Sequence, residues 1–248
     1  MICQRTSFSI LITLALSLHT NVQAIAQFAC QEEVTRAKGT LSEIFRGWPL
    51  RPSGDAANDA LQEIATRLAR QSGEETHRRW RTHVIRDSKL NAFSIGDGHV
   101  FVTEGMLRFV ESEAELAAVL SHEFAHHTAG HFCPSKEKKG GFRGFFGGGE
   151  KVQKNGRVGD LKASFDPDKE READRIGAII LGRGGYNPRV AILFAARMLA
   201  SGTPGHFHYG ERIEALQKML DKKASSTWNQ PTSHAYLRMK AALVQDPR

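Results

Sequence analysis

Residues 112–126 read SEAELAAVLSHEFAH, and this stretch predicts a long helix around which the rest of the fold can be arranged. Ser112 followed three residues later by Glu115 is a capping box, which is typical of a helix N-terminus. Apolar residues then recur at helical spacing through Leu116, Val119, Leu120 and Phe124. We expect the helix to end between Gly130 and Pro134.

The end of this helix carries the pattern His122-Glu123-x-x-His126. Residues four apart share nearly the same helix face, so both imidazoles can bind one metal ion, most typically zinc. Glu123 is rotated by one residue from that line and is free to act as a general base on a water molecule. The alternative is a helix with two ordinary surface histidines.

A catalytic zinc site needs a third protein ligand and one open position. His127 and His131 lie about 140° and about 180° round the helix from His122, so neither can join the site unless the helix breaks. The three-histidine pattern would need glycine at 129 and histidine at 132, where the chain has Ala129 and Phe132. We therefore expect a carboxylate as the third ligand.

A second helix, predicted to begin at Asp166-Pro167 and to run to about Gly182, supplies such a carboxylate. Glu170 and Asp174 lie four residues apart and share a face. Glu170 is then a candidate ligand, and Asp174 a candidate to hold the far nitrogen of a metal-binding histidine. The alternative is an ordinary charged helix face.

Residues 91 to about 216 resemble the zinc metallopeptidases of family M48, which include HtpX-type, CAAX-processing and Oma1/BepA-like proteases. The segments that carry the resemblance are 91–93, 98–103, 105–107, 115–126, 170–177 and 185–188. Together with the export signal described below, they make the chain most similar to the periplasmic BepA/LoiP-type members.

The resemblance implies a zincin-type (gluzincin) metallopeptidase domain and one zinc ion per chain. It implies that His122, His126 and Glu170 bind zinc, that Glu123 is the catalytic base, and that Asp174 supports the site. The helical and extended segments by themselves predict a mainly α fold with a small β-sheet, an α+β class.

In two places the chain departs from the family's pattern. The family usually has a His-Pro pair shortly before Arg-Ile; here Arg212-Ile213 is present, but Phe207 follows His206. His206 is therefore a candidate catalytic residue, as a transition-state donor or a switchable ligand, with His208 as its competitor. The Ser-Arg pair often found just before the ligand glutamate is replaced by Asp166-Pro167.

The first 24 residues are predicted to be a signal peptide. The apolar stretch Phe8–Leu18 follows Arg5 and is too short to span a bilayer, and small residues favour cleavage after Ala24. A buried N-terminal helix is the alternative. Residues 25–248 would then form a single domain, in which Cys30 and Cys133 are either a disulfide or two buried thiols.

Two further segments bear on function. The strand predicted at His99, Val100, Phe101, Val102 and Thr103, if it is an exposed edge, would bind an extended substrate by β-augmentation. A loop rich in glycine, lysine and phenylalanine is expected at about 135–159. This loop is either a lid or membrane-touching segment over the cleft, or a solvated linker.

These features predict a zinc-dependent endopeptidase that hydrolyses exported or envelope proteins in protein quality control. Its partners would be unfolded or extended proteins in the periplasm, with contact to the envelope membrane surface as an option. The net charge of +7 favours acidic partners, but the chain has no nucleic-acid-binding motif, and we expect no nucleic acid. The alternative is a latent zinc-binding chaperone or adaptor. A purely structural zinc site is disfavoured because such sites are usually rich in cysteine.

Overall fold

The computed structural model describes residues 30–76, 78–134, 166–202, 209–222 and 232–245. The predicted signal peptide, the loop at 135–159, and the candidates His206 and His208 lie outside the described residues. The helices are α1 Gln31–Gly47, α2 Ala56–Ser72, α3 Glu104–Phe109, α4 Glu113–Thr128, α5 Pro167–Arg183, α6 Val190–Ala200, α7 Tyr209–Asp221 and α8 His234–Gln245. The strands are β1 Arg81–Ile85, β2 Ala92–Gly96 and β3 His99–Thr103.

The predicted mainly α fold with a small sheet is confirmed for the described residues. The N-terminus of α2 is capped by the Asp55 carboxylate, which accepts hydrogen bonds from the backbone N–H groups of Ala57 and Asn58. Leu61, Ile64 and Leu68 on α2 are fully buried, which makes this helix the centre of the core. None of the helices in the described part of the chain combines the length and the apolar character needed to cross a membrane.

The sheet has the order β1-β3-β2, with β1 parallel and β2 antiparallel to the central strand β3. The prediction that His99, Val100, Phe101, Val102 and Thr103 form an exposed edge is therefore wrong. All five residues are buried, and both edges of β3 already pair with neighbouring strands. Because β3 has no free edge, it cannot receive a substrate strand.

Helix α4 begins as the sequence predicted, since the Ser112 hydroxyl accepts a hydrogen bond from the Glu115 backbone N–H at 3.2 Å. The reciprocal bond of the capping box differs, because the Glu115 carboxylate accepts from the backbone N–H of Glu111 rather than from that of Ser112. The helix ends at Thr128, and Gly130, with a φ of 69°, turns the chain back. Helix α4 is buried along most of its length and packs extensively on α5.

A disulfide joins Cys30 and Cys133, so the two cysteines are not separate buried thiols. It ties the start of α1 to the segment that follows α4. Close by, the buried carboxylate of Glu33 forms an ion pair with Arg78 at 2.8 Å and lies 3.5 Å from His127 Nδ1. These contacts place α1 against the outer side of the helix that carries the candidate site.

Candidate metal centre

The candidate site lies where α4 and α5 cross, with Gly177 of α5 against the backbone of His122. This close approach brings His122, His126 and Glu170 together, as the sequence predicted. The Nε2 atoms of the two histidines are 3.1 Å apart. The Glu170 carboxylate oxygens lie 3.4 Å from His122 Nε2 and 3.5 Å from His126 Nε2.

These three residues fit a tetrahedral zinc ion. Ligand atoms about 2.0–2.1 Å from such an ion lie roughly 3.3 Å from one another, which is close to the three observed separations. The Glu170 side chain is buried, yet neither of its oxygens accepts a hydrogen bond. A buried carboxylate without hydrogen bonds is costly unless a cation compensates its charge.

One other cluster among the described residues has metal-binding groups in reach of one another: Cys30, Glu33 and Cys133. Its two sulfur atoms are joined in the disulfide and do not offer the thiolates that metals bind. Within the described part of the chain, the site at the α4–α5 crossing is therefore the better candidate for a metal.

Asp174 fixes the orientation of the His122 ring. Its Oδ1 lies 3.1 Å from His122 Nδ1, on the side of the ring away from Glu170. Although burial alone would lower it, the adjacent carboxylates of Asp174 and Glu170 raise the pKa of His122 to about 10. The expected role of Asp174 as a support for a metal-binding histidine thus agrees with its position.

Arg212 of α7 completes this side of the site and was not assigned a role from the sequence. Its Nε and Nη2 donate to the two carboxylate oxygens of Asp174 at 2.5 and 2.6 Å. Its Nη1 approaches Glu170 Oε2 to 3.2 Å. Burial raises the pKa of Asp174, but the bonds from Arg212 and His122 outweigh it and hold the pKa below its usual value.

His131 supports the second histidine in the same way. The turn at Gly130 carries the chain back, and the backbone N–H of His131 donates to the carbonyl of His126 at 3.0 Å. Its Nδ1 then lies 3.0 Å from His126 Nδ1, and its Nε2 lies 3.2 Å from the carboxylate of Glu172. Because the helix ends at Thr128, His131 reaches the site without being a ligand.

Glu123 is buried beside His122, and its Oε2 accepts a hydrogen bond from the Ser94 hydroxyl at 2.8 Å. Ser94 lies in β2, so the sheet holds the carboxylate of the candidate base. Burial raises the pKa of Glu123 to about 6. A carboxylate with a pKa near neutrality can both accept and return a proton at physiological pH.

A narrow cavity of about 60 Å³ opens beside His122 and Glu123. Asp174 and Arg212 also line it, and the rest of its wall comes from apolar side chains of α4, α5, α6 and α7 together with Ala92 and Met106. The space next to the candidate base is therefore closed on its far side by the helices.

Comparisons with known proteins agree with this geometry. Residues 55–146, which include His122, Glu123 and His126, match the profile of peptidase family M48. This segment resembles an M48 peptidase domain. The match ends before Glu170, so the third residue of the site rests on the structure and not on the profile.

The curated relatives of the chain are named as a metalloendopeptidase or as proteases. The chain is 35% identical over 133 residues to the mitochondrial metalloendopeptidase OMA1 of Schizosaccharomyces pombe, covering 50% of this chain and 39% of that protein. It is 28% and 27% identical over 133 residues to the beta-barrel assembly-enhancing proteases of Yersinia pestis and Escherichia coli, covering 47% of this chain and 27% of each relative. The chain thus spans well under half the length of these relatives.

Proposed function

We propose that the protein is a zinc-dependent endopeptidase. The observation that carries this proposal is the buried Glu170 carboxylate, which lacks hydrogen bonds and lies 3.4 and 3.5 Å from two imidazoles on the neighbouring helix. The two Nε2 atoms and the carboxylate oxygens lie at about the mutual distances that a tetrahedral zinc ion requires. The similarity of the M48 domain to metalloendopeptidases supports the same conclusion.

In the proposed reaction His122, His126 and Glu170 hold zinc, and His131 and Asp174 keep the two rings in place. Zinc bound there would supply Lewis-acid activation of a water molecule and of the scissile carbonyl group. Glu123 takes a proton from the attacking water and passes it to the leaving amine.

The side chains around Glu123 set its orientation and its basicity. The hydroxyl of Ser94 fixes one carboxylate oxygen, so that the other can face the reacting water. Arg212 neutralises part of the negative charge of Glu170 and Asp174. Apolar side chains of α4, α5, α6 and α7 line the cavity beside Glu123, and this less polar environment strengthens the charge interactions.

We further propose that the substrates are unfolded or extended proteins of the bacterial envelope. The disulfide between Cys30 and Cys133 supports an oxidising compartment, in agreement with the predicted signal peptide. Relatives named beta-barrel assembly-enhancing proteases support an envelope role. Because β3 is central, pairing of a substrate with the sheet would have to use an edge strand, β1 or β2, and Ala92 of β2 lines the cavity.

The test is the Glu123→Gln variant, which keeps the shape of the side chain and removes its basicity. We expect this variant to bind one zinc ion per chain, measured by metal analysis, and to lose chelator-sensitive cleavage of casein. The control is Glu214→Gln, at an exposed position on α7, which should cleave as the unchanged protein does.

Undiminished cleavage by Glu123→Gln would rule out the proposed role of this residue. Zinc binding by the unchanged protein without any cleavage would instead favour the alternative of a latent zinc-binding chaperone or adaptor.

A further inference from the structure

The cavity beside the candidate base is apolar almost throughout. Its polar lining residues are His122, Glu123, Asp174 and Arg212, and these belong to the candidate site itself. The remaining walls are apolar side chains and one glycine, so a polar side chain held against those walls, away from these four residues, would lack a hydrogen-bond partner. The cavity therefore favours an apolar occupant that is attached to something bound at the site.

The size of the cavity is set by small residues on α6. Ala191 and Ala195 lie one helical turn apart and both line the cavity, as do the larger side chains of Phe194 and Leu216. Ala196, the next residue of the same helix, is exposed and is not among the residues that line the cavity. The two alanines, on successive turns of α6, leave the space that forms the cavity. A longer side chain at either position would fill it.

The volume limits what can enter. A cavity of about 150 Å³ lined by apolar side chains accommodates a benzene ring, whereas this cavity measures about 60 Å³. Less than half of the benzene-sized space remains, which suits a short aliphatic side chain and is too small for an aromatic ring.

We propose that this cavity receives the aliphatic side chain of a substrate residue that flanks the scissile bond. This inference rests on the proposed peptidase function and adds to it a substrate class: extended peptides with valine or a similarly small aliphatic residue at one fixed position beside the cleaved bond. Ala191 and Ala195 determine the specificity, because their methyl groups leave the space that the substrate side chain occupies.

The adjacency of the cavity to the reacting groups supports this assignment. His122 and Glu123 line the cavity and also belong to the site, so a peptide whose carbonyl lies at the site has its neighbouring side chains within reach of the apolar walls. One methylene more or fewer in a hydrophobic pocket changes the specificity ratio by about tenfold or more. The cavity is therefore expected to discriminate strongly among aliphatic side chains.

The experiment compares the purified protein with the variants Ala195→Leu and Ala196→Leu. Cleavage sites are mapped by mass spectrometry on a peptide mixture, and kcat/KM is measured for matched peptides with glycine, alanine, valine or phenylalanine at the flanking position. For the unchanged protein we expect valine to exceed phenylalanine by about tenfold or more.

Ala195→Leu fills the cavity and should lower kcat/KM for the valine peptide relative to the glycine peptide by about tenfold. Ala196→Leu makes the same change on the exposed side of α6 and should leave the ratio unaltered. Ile213→Ala, at a partly buried position on α7, enlarges the cavity and should improve cleavage beside phenylalanine. This third variant keeps the test decisive if Ala195→Leu does not fold.

Chelator-sensitive cleavage with no preference at any flanking position would overturn the cavity assignment and leave the peptidase proposal intact. The same conclusion follows if Ala195→Leu and Ala196→Leu have the same preference as the unchanged protein and Ile213→Ala does not broaden it. Absence of any chelator-sensitive cleavage would overturn both proposals, so the two failures are distinguishable.

Discussion

The crossing of α4 and α5 at Gly177 offers a sharp test of how the site is held. A Cβ atom added at this position would lie 3.2 Å from the Cα and the N of His122 and 3.2 Å from the carbonyl oxygen of Ser121. All three are backbone atoms of a buried helix, so they cannot rotate away as a side chain could. Gly177→Ala must therefore push the two ligand-bearing helices apart by a few tenths of an ångström.

The size of the effect follows from two opposing contributions. Replacing glycine by alanine inside a helix stabilises a protein by about 0.5–1 kcal/mol. Overpacking of a well-filled interior costs about 1–3 kcal/mol. The net change expected for Gly177→Ala is thus a loss of roughly 0–2.5 kcal/mol in the free energy of unfolding.

Gly39→Ala in α1 is the matched control. Gly39 lies inside a helix, is exposed, and has no atom within 4 Å of the added Cβ. The free energy of unfolding of Gly39→Ala should rise by about 0.5–1 kcal/mol. The glycine-to-alanine contribution of the helix backbone is common to both variants, so their free energies of unfolding should differ only by the overpacking cost of about 1–3 kcal/mol.

The assay is urea unfolding at pH 7 together with a competition measurement of zinc affinity. We expect Gly177→Ala to bind zinc more weakly, because the shift moves Glu170 away from the two histidines, and Gly39→Ala to bind as the unchanged protein does. If both variants were stabilised equally and bound zinc equally well, the reasoning that the close crossing holds the site would be refuted.

Two further predictions concern pH. The flanking carboxylates raise the pKa of His122 to about 10, so zinc must displace a proton from this ring. The apparent zinc affinity should therefore rise about tenfold per pH unit near neutrality. Calorimetry in buffers of different protonation enthalpy should detect the released proton, and a pH-independent affinity would contradict this. Burial lowers the pKa of His83 and His99 to about 4 from 6.5, so the folded state binds fewer protons than the unfolded state, and the free energy of unfolding should fall as pH decreases from 6.5 to 4. His83→Gln should flatten this dependence in urea titrations and the exposed His234→Gln should not; equal slopes for both variants would count against it.

The parts of the fold that the sequence predicts are those that depend on near neighbours in the chain. The capping hydroxyl of Ser112, the Asp166-Pro167 start of α5 and the spacing of His122 and His126 all act within one or two helical turns. The same local spacing places Glu170 and Asp174 on one face of α5. These elements could be read from periodicity because each needs only its own helix.

The parts that the sequence did not predict depend on contacts between distant segments. The edge position considered for His99–Thr103 was wrong. Strand order depends on pairing between distant segments, and a local sequence pattern does not predict this pairing. Arg212 reaches Asp174 across 38 residues, and Ser94 reaches Glu123 across 29. The helical-wheel argument for His131 assumed an unbroken helix, whereas α4 ends at Thr128 and the turn at Gly130 places this ring behind His126.

The ligands of the candidate site are divided between two helices that are far apart in the chain, and this division links metal supply to the lifetime of the protein. All three ligands are in place only while α5 packs on α4, so a bound ion stabilises this packed state. Free zinc at 100 times its dissociation constant would add about 2.7 kcal/mol to the free energy of unfolding. In a zinc-starved cell α4 and α5 would therefore separate more often, and the protein would become a substrate for other proteases.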